Sequence, residues 1–108
     1  MKSVSKQTAT DIALSYREIE RAQELLDKVT ESLGRREQPD IRDAFGRQHG
    51  GLQLGVPSGQ SGHTLYNVPW NLCAPILRAH IQHHENRIEA LTELARLEIT
   101  SATPEPSQ

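Results

Sequence analysis

The chain has 108 residues, a formal net charge of −2 and a single cysteine, Cys73. Its length points to one small domain, and its charge excludes the strongly cationic balance of a dedicated nucleic-acid binder. Leu, Ile, Val and Phe supply only 24 residues, so the core is thin and a second copy of the chain would usefully extend it.

Residues 1–7 carry no hydrophobic period and read as a flexible N-terminus. A first amphipathic helix is expected over 8–33. Thr8 reads as its N-cap, and Ile12, Ile19, Leu26 and Leu33 recur seven apart, with Ser15, Ala22 and Val29 filling the alternate positions. Gly34 then suits the left-handed residue that follows a helix.

Residues 34–70 form a connector rich in Gly and Arg. Leu52-Gln53-Leu54-Gly55-Val56 alternates, and His63 to Val68 favours a strand. The six residues Pro57 to Gly62 between them are turn chemistry. This pattern predicts a β-hairpin, preceded at 39–48 by one helical turn or a loop. A second amphipathic helix is expected over 71–100, with Asn67 or Asn71 as its cap. Pro75 has to lie near its start, because proline lacks the N–H that a helix interior needs. Leu77, Ile81, His84, Ile88 and Leu91 mark its apolar stripe. The tail at 101–108, with two prolines and no large apolar side chain, reads as disordered.

The expected architecture is therefore mainly α. Two long antiparallel amphipathic helices are joined by a Gly-rich β-hairpin, in one domain over 8–100 packed as a homodimer or higher oligomer. Ile12, Ile19, Leu26, Leu77, Ile81, His84, Ile88 and Leu91 are the expected interface residues. No apolar run reaches the ~18 residues of a membrane span and no signal-peptide pattern opens the chain. With the lone cysteine, this gives an expected cytoplasmic location.

The chemistry-bearing residues gather in the connector. Arg42 and Arg47 supply the planar forks that suit phosphate. Ser58, Ser61, His63 and Thr64 flank glycines that let a ligand approach backbone N–H groups. Tyr66 and Trp70 offer rings that stack on a base. Each feature has a plainer explanation: arginines paired with Glu37, Asp40 and Asp43, a bare hairpin tip, and a tryptophan plugging the end of a helix pair. Together they point to a small anionic ligand such as a nucleotide.

His80 and His84 stand four apart, a metal-ligand spacing. The Glu that would follow the first His in a metalloprotease is replaced by Ile81, and a third ligand would have to come from elsewhere, such as a second subunit. His84 also sits in the apolar stripe, where it reads as a polar register-setting residue with pH sensitivity. No metal and no cofactor is expected. No Walker or nucleophile-elbow motif is present, so a non-enzymatic protein is expected.

In layout, the chain resembles small accessory proteins encoded by bacteriophages, among them the helical anti-defence sponge proteins. That resemblance implies an oligomer that sequesters a cyclic nucleotide immune signal in the host cytoplasm; the connector residues above suit such a site by chemical type alone. The alternative expectation is a coiled-coil-like interaction module, or an inhibitor of a host protein, anchored by Ile76, Leu94 and Leu97. DNA binding is the least favoured reading, because both long helices are net acidic.

Overall fold

The structure is a computed structural model that describes residues 3–101. Helix α1 runs over Lys6–Gly34. Strands β1 (Gly51–Pro57) and β2 (His63–Pro69) follow, then a short 3-10 turn over Trp70–Leu72, and helix α2 over Cys73–Ser101. The structure is mainly helical, as expected, with two long helices and a small two-stranded antiparallel sheet. No helix among the described residues is long and apolar enough to cross a membrane. The expected tail lies outside the described residues except for Ser101, which closes α2.

Several boundaries differ from the sequence reading, each for a local reason. Helix α1 starts at Lys6, so Lys6 and Gln7 are helical. The cap is Ser5, whose Oγ accepts the Thr8 N–H at 3.1 Å. Thr8 is thereby free to turn its hydroxyl elsewhere. At the other end the left-handed residue is Arg36 (φ 59), not Gly34. The Glu37 N–H donates to the Ser32 carbonyl at 2.9 Å and the Arg36 N–H to the Leu33 carbonyl at 3.0 Å, the paired bonds of a Schellman closure. At the start of α2 neither Asn67 nor Asn71 caps. Asn67 pairs with Gln53 within the hairpin and Asn71 lies in the 3-10 turn, which has no side-chain cap.

The chain divides into two compact units. Among the described residues, the first comprises 3–22 together with 80–101. Here the first part of α1 and the second part of α2 run side by side in opposite directions. Ser5 and Thr8 bond to Glu98 at one end, and Glu18 meets His80 at the other. Ser15, Ala22, Leu91 and Ala95 are buried on the facing stripes, while Ile12, Ile19, Ile81, His84 and Ile88 are half-buried.

The second unit spans Gln23–Ala79. Leu26, Val29, Pro39, Trp70, Cys73 and Leu77 are its buried residues. Trp70 donates its indole N–H to the His49 carbonyl at 2.8 Å, and the Cys73 thiol points to the Pro69 carbonyl at 3.2 Å. The strand register pairs Gly51 with Pro69 and Leu54 with Tyr66. Gly51 is obligatory at the hairpin base: a Cβ there would fall on the Val68 carbonyl.

Candidate functional site

Of the two expectations for 39–48, the segment takes the loop and not the helical turn. Arg42 and Gln48 form a β-bridge, Gly46 takes φ 77, and the Asp43 N–H donates to the Arg47 carbonyl at 3.0 Å. The Asp43 carboxylate organises this loop. It accepts the Phe45 and Arg47 N–H groups at 2.8 and 3.0 Å and faces His49 Nε2 at 3.0 Å. The His49 hydrogen bond, ahead of the backbone donors, holds the Asp43 carboxyl below its usual range.

This order fixes both arginines of the expected ligand site. Arg42 pairs with Asp40 at 2.9 Å and donates to the Gly46 carbonyl at 3.1 Å. Arg47 lies over the Phe45 ring, 5.9 Å from its centroid, and that ring is 85% exposed. Trp70 is only 4% exposed, so its ring packs inside the unit and presents no open face for stacking. Ser58, Ser61, His63, Thr64 and Tyr66 are all exposed. The Ser58 N–H closes the five-residue tip onto the Gly62 carbonyl at 2.9 Å. A hollow of about 280 Å³ at the hairpin base is lined by Gln48, His49, Gly50, Gly51, Gln53, Asn67, Val68 and Pro69, and none of the eight expected ligand residues lines it.

Beside these polar groups the hairpin also presents large apolar side chains. On one face Leu54 and Val56 stand opposite Tyr66 and Thr64, continuing the half-buried pair Leu52 and Val68. Leu54, Val56 and Tyr66 are 40%, 49% and 56% exposed, and Leu65 on the reverse face is 58% exposed. A signal for this surface lies in the sequence: from Gln48 to Leu77 there is no Asp, Glu, Lys or Arg. The charges with which sheet edges are normally guarded are therefore missing from both strands.

In the first unit a second polar cluster forms, which sequence spacing found only in half. His84 Nδ1 lies 3.2 Å from the buried Ser15 Oγ, and His80 Nε2 lies 3.4 Å from Glu18 Oε2. Burial, then the neighbouring His80 and His83, push the His84 imidazole below its ordinary pKa. Glu18 carried no sequence signal, because its role depends on which face of α1 meets α2.

No protein-family model, curated protein or solved structure matches the chain.

Proposed function

We propose that the protein is a non-enzymatic interaction module that works by association, with the hairpin as its contact element and a second copy of the chain as its partner. The observation that carries this reading is the exposed apolar ladder of Leu54, Val56 and Tyr66. A two-stranded hairpin is marginal in water on its own, and three or more strands or a covering layer give it independent stability. Each strand has an unpaired edge, and edge pairing between hairpins would complete its backbone hydrogen bonds. A second copy fits because the hairpin carries no formal charge, so two such faces meet without desolvating an unpaired ion.

Light scattering coupled to size-exclusion chromatography tests the reading. The wild type is expected to run as a dimer or larger assembly, and Leu54→Lys as a monomer with unchanged helical circular dichroism. A wild type that is monomeric throughout a dilution series overturns it. If that monomer also gains thermal stability from cyclic or linear nucleotides, the small-anion expectation takes its place.

A further inference from the structure

Beyond that reading, the first unit brings together three donors of the kind that bind zinc. His80 and His84 project from successive turns of α2, and Glu18 faces them from α1. One ligand atom from each lies within 4.8 Å of the other two. Two imidazoles and one carboxylate form a donor set used by divalent zinc with water in the remaining position. We propose that Glu18, His80 and His84 hold one divalent transition-metal ion of the zinc class, and that this ion ties α1 to α2 within the unit.

The local geometry favours this assignment over a chance cluster. Nδ1 of His84 lies 3.2 Å from the buried Ser15 hydroxyl; a hydrogen bond at one ring nitrogen orients the imidazole and leaves Nε2 available to a metal, as metal-binding histidines are commonly held. Ligand atoms around zinc sit about 3.4 Å apart at bond lengths of about 2.1 Å. Glu18 and His80 therefore have to close on His84 slightly, and both are exposed side chains able to turn between rotamers.

The charges facing the cluster are compatible with a cation. Arg87 on α2 lies 3.8 Å from Asp11 on α1, which offsets it. Beside the cluster is an open hollow of about 320 Å³ whose lining includes Ser15, Glu18, His84, Arg17 and Arg21. It gives water or a small anion access to the remaining coordination position, and the arginines favour the anion. The spacing of His80 and His84 alone left the third ligand to be found elsewhere; α1 of the same chain supplies it.

The test titrates chelator-treated full-length protein with Zn²⁺ by calorimetry, and with Co²⁺ by visible absorption. One Zn²⁺ per chain is expected, with a raised thermal midpoint and Co²⁺ bands that indicate nitrogen and oxygen ligands. His80→Ala and Glu18→Gln alter exposed positions, so the fold survives, and each is expected to weaken binding by at least about tenfold. His83→Ala is expected to leave binding unchanged. Absence of binding, one ion per two chains, unchanged affinity in His80→Ala or Glu18→Gln, or loss in His83→Ala each overturns the assignment.

Discussion

Thr8 Oγ1 donates to Glu98 Oε2 at 2.9 Å, while the other carboxylate oxygen accepts the Ser5 N–H at 3.1 Å. The first turn of α1 is thus anchored to the last turns of α2 by one side chain. The Ser5 amide, ahead of the Thr8 hydroxyl, holds the Glu98 carboxyl below its usual value. Because the folded pKa is the lower one, this contribution is complete above the unfolded value of about 4.3 and is lost as pH falls through the folded value. Thermal melts by circular dichroism over an acid series should show the wild type losing stability in that window. Glu98→Gln should be less stable at neutral pH and less acid-sensitive, so parallel pH profiles for the two proteins would count against the anchor.

The closure of α1 predicts two stabilising substitutions. Arg36 holds a left-handed backbone that costs an L-residue roughly 1 kcal/mol or more. Arg36→Gly should therefore stabilise by about 1 kcal/mol. Gly34 lies in the helix without a positive φ, and an added Cβ meets nothing within 4 Å. Gly34→Ala should add about 0.5–1 kcal/mol. Urea unfolding midpoints measure both, and a destabilised Arg36→Gly protein would contradict the Schellman geometry.

Trp70→Phe removes the donor to the His49 carbonyl and some buried volume. A loss of about 1–3 kcal/mol is expected from the unsatisfied carbonyl, and Trp70→Ala should cost about 3–5 kcal/mol. Trp70 is the only tryptophan, so its fluorescence in the wild type reports directly on this core. Denaturant curves of the variants, followed by circular dichroism, give the differences.

A second pH window belongs to His84, measured with metal removed. Its folded pKa is depressed by burial and by His80 and His83, while Glu18 opposes and Arg87 reinforces that shift. A histidine lowered in the folded state binds fewer protons there than when unfolded. Stability is therefore complete above the unfolded value of about 6.5 and declines as pH falls below it towards the folded value. His84→Gln, which keeps a polar partner for Ser15 without the charge, should flatten the melting temperature between neutral and mildly acidic pH. An equal slope in both proteins would remove His84 as the cause.

The helices and hairpin were legible because their signals are periodic. Ile12 to Leu33 repeats in sevens and Leu52 to Val56 alternates, and both patterns survive folding as faces. Features that depend on one bond were not legible. Ser5 and Thr8 are equally good caps by type, and only the position of Glu98 gives Thr8 another partner. Gly34 was the obvious left-handed residue, yet the chain takes that conformation at Arg36, where the Ser32 and Leu33 carbonyls find their donors. In the connector, residue types alone allow the arginines either a phosphate or the nearby acids Glu37, Asp40 and Asp43 as partners. Asp43, one of the acids weighed as their partners, instead folds the loop through backbone N–H groups, leaving Arg42 on Asp40 and Arg47 on Phe45.

The uncharged run from Gln48 to Leu77 also governs how the chain is cut. Trypsin has no cleavage point between Arg47 and Arg78, so digestion leaves the finger whole whatever covers it. Chymotrypsin meets Leu54, Leu65 and Tyr66 at once. Resistance to the second protease, set against the first, is therefore a footprint of occupancy that needs no label and no mutation.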